Sequence, residues 1–133
     1  MNEDNGANIL RFLKDLKEKY PGFEYRYARD QNKCLTAWMF MTAEMQYFAK
    51  LYGQVLFLDW MKCGVSDVEW PYQGAVVLDE DLHVHLITHT VACTESNDSY
   101  KFRLNSMTSI VPELHEITKV TFSDRLASES VFF

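Results

Sequence analysis

Two aspartates carry the chemistry that this sequence is equipped to do. Each closes an apolar, β-rich run: Val55-Leu56-Phe57-Leu58-Asp59 and Lys119-Val120-Thr121-Phe122-Ser123-Asp124. A carboxylate at the tip of a buried strand loses hydration, and a cation, a hydrogen-bond network or a catalytic role usually offsets that cost. Two of them on strands lying side by side would make a divalent-metal site of the kind that serves phosphoryl transfer. Either one taken alone reads more plainly as the end of its strand, because Asp is favoured in turns and at helix N-caps. The elements between them decide which reading applies.

Those elements can be followed along the chain. Ile9, Leu10, Phe12, Leu13 and Leu16 recur at helical spacing, with Lys14, Asp15, Lys17 and Glu18 on the other side, and Pro21-Gly22 ends the helix. Phe23 to Tyr27 and Cys34 to Met41 predict two strands, joined as a hairpin by the turn residues Asp30-Gln31-Asn32-Lys33. Thr42 is placed to cap a helix running to Tyr52, with Met45, Phe48 and Tyr52 facing a core and Gly53 ending it.

From Gln54 the pattern changes. Val55 to Asp59 is a short continuous apolar run, as expected of a strand covered on both faces. A polar connection spans Lys62 to Trp70. Tyr72 to Leu78 and Leu82 to Cys93 then predict a second hairpin across the acidic turn Asp79-Glu80-Asp81. Ser96 or Asn97 caps the next helix, whose buried stripe is Tyr100, Leu104, Met107 and Val111. Lys119 to Ser123 is the last strand, and Leu126 to Phe133 reads as the beginning of a further helix.

The expected organisation is therefore a helix, hairpin and helix over residues 1–53, leading into a core over residues 54–133. That core holds three strands in hairpin order, a helix, and a fourth strand parallel to the first, a mixed α/β arrangement. In this order the first and fourth strands are neighbours, and Asp59 and Asp124 converge at one edge of the sheet. The apolar end Ser130-Val131-Phe132-Phe133 needs something to pack against, which reads as truncation or a gene fragment.

Composition narrows the function. A chain of 133 residues, 47% hydrophobic, supports one core. Its net charge is −6 and its Lys and Arg residues form no cluster. Strong autonomous binding of DNA or RNA needs a basic footprint, so this segment is expected to bind nucleic acid weakly or not at all. A metal bridging to phosphates would supply the missing positive charge. Cys34, Cys63 and Cys93 are odd in number and lack CxxC spacing, so a reduced intracellular compartment is the simpler expectation. The polar start Met1-Asn2-Glu3-Asp4-Asn5-Gly6 does not read as a secretory signal, and no apolar stretch approaches the roughly 20 residues that cross a bilayer.

The residues carry a resemblance as well. Tyr20-Pro21-Gly22-Phe23-Glu24-Tyr25 with Asp30, the strand Leu35-Thr36-Ala37-Trp38-Met39-Phe40, Tyr52-Gly53-Gln54-Val55-Leu56-Phe57-Leu58-Asp59, Pro71, Glu95-Ser96-Asn97-Asp98-Ser99-Tyr100 and Ser123-Asp124 occur in that order. Together they resemble the Mutator-like transposase domain, a ribonuclease H-like fold, and within it most nearly the transposase-derived, zinc-finger SWIM-containing proteins. The resemblance runs from about Ile9 to Ser128. It implies a truncated ribonuclease H-like fold and a three-carboxylate site in which two Mg²⁺ ions cleave and transfer DNA strands. Asp59 would be the first acid, bridging both metals, and Asp124 the second. It also implies a nuclear address and DNA as the partner of the full-length ancestor.

This sequence departs from that pattern at two places. The family's third acid, a glutamate on a later helix, has no counterpart, and Glu129 follows Asp124 too closely to replace it. After the first acid the family carries Asp-x-Thr-Tyr or Asp-x-Thr-His, whereas this chain reads Asp59-Trp60-Met61-Lys62-Cys63-Gly64. Lys62 is placed to pair with Asp59 in the metal's stead. The expectation is a domain without catalysis, holding Mg²⁺ only if its site is intact, and retained as a scaffold or a module for a protein partner. A nuclease whose last acid comes from elsewhere is the alternative.

Weaker signals remain. His83, His85 and His89 share one strand parity and could face one side as metal ligands, but no further acid or His stands out as completing a set, and a solvent-facing hairpin edge is the plainer reading. Asp79-Glu80-Asp81 lacks the spacing of a calcium loop. Glu95 reads as an acid before a helix start, and Trp38, Trp60 and Trp70 as core residues.

Overall fold

The computed structural model describes residues 3–62, 70–94 and 96–123, and their side chains apart from those of residues 3–5, 59–62 and 123. The expected helix over Leu126 to Phe133, most of the connection between Lys62 and Trp70, and Glu95 lie outside the described residues. The chain is mixed α/β, with a six-stranded sheet and four helices among the described residues.

Helix α1 (Glu3–Lys19) leads into the hairpin β1 (Glu24–Arg29) and β2 (Leu35–Met41). The Asp30 carboxylate closes that hairpin by accepting the backbone N–H groups of Asn32 and Cys34 at 2.8 and 3.0 Å. This Asx geometry is why aspartate suits the turn. Helix α2 (Ala43–Tyr52) starts where the Thr42 hydroxyl accepts the N–H of Met45 at 3.2 Å. Gly53 ends it because a side chain there would strike the Ala49 carbonyl oxygen and Leu114.

Strand β3 (Val55–Lys62) begins directly, then β4 (Pro71–Leu78) and β5 (Val84–Ala92) form the second hairpin. Helix α3 (Asn97–Ile110) opens on a capping box, the Ser96 hydroxyl accepting Ser99 N–H while the Ser99 hydroxyl accepts Ser96 N–H. A short helix α4 (Leu114–Ile117), which sequence periodicity does not announce, precedes β6 (Val120–Ser123).

The sheet order is β1-β2-β5-β4-β3-β6. Neighbours are antiparallel except β3 and β6, which pair in parallel from Val55↔Val120 to Leu58↔Ser123. Residues on both sides of Gly53 thus share one sheet, since β2 of the first hairpin pairs with β5 of the second.

Alternation decides what each face buries. In β2 and β4 every second residue is buried, and of these Met39, Met41, Ala75 and Val77, with Leu56, Leu58 and Ile87, share a core with Tyr100, Leu104, Met107, Val111 and Leu114 from the α3–α4 segment. The sequence-derived stripe of the third helix is entirely in that core. Helix α1 lies on the opposite face, where Leu13 and Leu16 pack near Trp38 and Phe40. Trp70 is buried, as a core role requires. Beyond the reach of α1, this face leaves Val120 and Phe122 exposed, with Phe122 stacked on Phe57 at 5.3 Å between ring centroids.

Candidate functional site

The backbone pairs the two strands that lead to the expected acidic residues. Leu58 and Ser123 are Cα partners in the parallel pair, and Asp59 and Asp124 are the next residues in the sequence. Asp59 belongs to β3 and is the Cα partner of Gly74 on β4. Its side chain, that of Lys62, and the whole of Asp124 lie outside the described residues, as does Glu129. The pairing of Asp59 with Lys62 or with a cation is therefore a matter of sequence here.

The row that contains Asp59 continues across the sheet. Gly74 is the partner of His89 on β5, and His89 is the partner of Phe40 on β2. His89 stacks on Phe40 with 4.9 Å between ring centroids, and its Nδ1 shares a 2.6 Å hydrogen bond with the Tyr72 hydroxyl. Burial of the imidazole holds its pKa below the ordinary histidine value. Gly74 carries no Cβ in the middle of this row, and the side chains of Leu86 and Tyr72 close over it. A half-buried neutral imidazole on a phenol can accept or pass a proton.

One residue along the sheet, on the helix-covered face, sits a polar group of another kind. Gln73 and Thr90 are Cα partners and fully buried, and neither the Gln73 amide nor the Thr90 hydroxyl has a hydrogen-bond partner among the described residues. Arg103 of α3 is also fully buried and lies over the Tyr100 ring at 4.6 Å. Unsatisfied buried amides and hydroxyls cost stability. The seam adjoins the row that holds Asp59.

The three histidines of β5 and its turn do not share a side. The β4–β5 register runs Ala75↔Thr88 and then Val76↔Leu86, so Ile87 is an extra residue and the parity flips. His85 consequently points to the helix face and stacks on Phe48 of α2 at 3.9 Å and 11°, whereas His89 lies on the α1 face. His83 is exposed in the turn. A single inserted residue overturns the period-2 reading, and no local sequence signal marks it.

The acidic turn is more structured than hairpin chemistry alone requires. Asp79 Oδ1 accepts the N–H groups of Asp81 and His83 at 2.9 and 2.8 Å, and Oδ2 meets His85 Nε2 at 2.8 Å. The His85 hydrogen bond, opposed by burial and aided by the N–H groups of His83 and Asp81, holds the Asp79 carboxyl below its ordinary pKa. An aspartate at the start of the turn and a histidine on the returning arm are the sequence signal for this pairing, which appears only when both arms of the hairpin are taken together.

No helix among the described residues is long and apolar enough to cross a membrane. Compared with known proteins, the chain matches no family model, no curated protein and no solved structure.

Proposed function

We propose that this chain is a ribonuclease H-like domain of transposase descent, of the SWIM zinc-finger type, that has lost catalysis and serves as a scaffold. The observation that supports it best is the parallel pairing of β3 with β6, which sets Leu58 beside Ser123, each one residue before an aspartate. The strand order β5-β4-β3-β6, with α3 between β5 and β6, is the order that the resemblance implies. The motifs quoted above supply the ancestry, and with it a nuclear setting and DNA as the ancestral partner.

Loss of catalysis follows from the residues around the first acid. Two-metal phosphoryl transfer needs a complete ligand set. Met61 stands where the family carries a hydroxyl, and a cation, Lys62, follows the acid by three residues.

Two measurements test the reading. Nitroxide labels at Asp59→Cys and Asp124→Cys, in a background with Cys34, Cys63 and Cys93 replaced by Ser, are expected to broaden one another's spectrum as near neighbours. Independent spectra would remove the ancestry. Incubation of the unmodified chain with plasmid DNA and Mg²⁺ or Mn²⁺ is expected to leave the DNA intact. Cleavage that Asp59→Asn abolishes would replace the scaffold with the nuclease alternative.

A further inference from the structure

We propose that the β4–β5 turn is a binding site for a zinc-class divalent cation, with Asp79, Asp81 and His83 as its ligands and His85 as the group that orients Asp79. The site is separate from the Asp59 region and stands whether or not the transposase reading holds.

The donor atoms of Asp79, Asp81 and His83 all lie within 4.8 Å of one another. Ligands on a tetrahedral zinc sit about 3.3–3.6 Å apart, given bonds of about 2.0–2.2 Å, so closure needs small rotations of exposed side chains. His83 and Asp81 are free to make them: the His83 side chain is 75% exposed, and Asp81 is exposed.

Asp79 is the fixed member. Its Oδ1 is held by two backbone N–H groups, and its side chain is only 14% exposed. His83 Nδ1 lies 3.6 Å from Oδ2 and His85 Nε2 lies 2.8 Å from the same oxygen, so two imidazoles converge on one carboxylate. The His85 ring is clamped flat against Phe48 and near Tyr52, which anchors the arrangement to α2. A hydrogen bond from a fixed imidazole to a ligating carboxylate is a common way to orient a metal ligand.

The chemistry of the donor set selects the ion. One imidazole with two carboxylates suits Zn²⁺, Co²⁺ or Ni²⁺. Calcium takes six or more oxygen ligands and magnesium demands a regular octahedron, which two carboxylates and an imidazole do not supply. Three protein ligands leave one position for water, as in zinc sites that accept an outside ligand.

Calorimetric titration of the full chain with Zn²⁺ alone, in a non-chelating buffer near neutral pH, is expected to show one saturable site. His83→Ala and Asp81→Asn are each expected to weaken it at least tenfold, and both residues are exposed, so neither change disturbs the core. In ¹⁵N-edited spectra the His83 ring signals are expected to shift on titration while those of His115 stay put. A 100-fold excess of Mg²⁺ is expected to leave binding unchanged. Absence of saturable binding overturns the site, and so does binding that persists unchanged in His83→Ala, which would place the ion on the cysteines instead.

Discussion

The Tyr72 hydroxyl and His89 Nδ1 lie 2.6 Å apart on the sheet face opposite α2 and α3. The bond spans two strands, and Phe40 stacks against the far side of the imidazole. Burial favours the neutral ring, so the native state binds fewer protons at His89 than the unfolded chain does. Stability then rises with pH through this group. Full stability from His89 is expected above the ordinary histidine range near 6.5, with a loss as pH falls through that value toward the lowered native one. Denaturation followed at several pH values checks this. His89→Gln should flatten that part of the profile, and an imidazole titrating above 6.5 in the native protein would contradict it.

How much of this was legible in the sequence depends on range. Thr42, Asp30 and Ser96 announce their caps and turn because the hydrogen bonds they make are local, a few residues along the chain. The stripe Tyr100, Leu104, Met107 and Val111 was readable because a helix buries residues at a fixed period. Other features were set by distant partners. Strand β1 extends to Arg29 and β3 to Lys62, beyond their apolar runs, because β2 and β4 offer ladder positions there. The helix α4 is four residues long and has no period to detect; buried Leu114 and partly buried Ile117 anchor it in the core. The bulge at Ile87 needs knowledge of the β4 register, which no residue of β5 encodes. The convergence of Asp79, Asp81 and His83 is likewise set by how the turn joins the two arms, not by a local pattern.

The capping box of α3 offers a local test. Ser96 satisfies the Ser99 N–H, and Ser99 returns the bond while its hydroxyl also reaches the Thr94 carbonyl at 2.8 Å. Ser96→Ala leaves a helix-start donor without its partner and is expected to lower stability by about 0.5–2 kcal/mol. Ser96→Asp keeps an acceptor and should restore most of the loss. Urea denaturation midpoints compare the three proteins, and an unchanged midpoint in Ser96→Ala would show that the box contributes nothing.

Gly53 offers a harsher one. Its position gives no room for a Cβ, because the Ala49 carbonyl oxygen and the Leu114 side chain already occupy the space, and Thr118 Oγ1 donates to its carbonyl at 2.7 Å. Gly53→Ala must push α2 and α4 apart, and overpacking of this kind costs about 1–3 kcal/mol or more. Gly74→Ala differs: its nearest neighbour would be the mobile end of Leu86 at 3.0 Å, so a smaller loss is expected. Thermal melting of the two variants should rank them in that order.

The pairing of β2 with β5 predicts how the molecule comes apart. Ala37↔Ala92 through Phe40↔His89 ties the first hairpin to the second, and Met39 and Met41 of the first half sit in the same core as Leu56, Ile87 and Leu104 of the second. Removing residues 1–53 would strip those methionines and Ala49 of α2 from the core and leave β5 with an open edge, which favours aggregation. The isolated 54–133 segment is therefore expected to be insoluble or unfolded. The intact chain should unfold in one transition, with tryptophan fluorescence and far-ultraviolet circular dichroism giving the same midpoint. Leu104→Ala, at the centre of the shared core, should move both signals together, by about 2–5 kcal/mol. Two separated transitions would show that the halves fold independently and that the strand pair between them carries little of the stability.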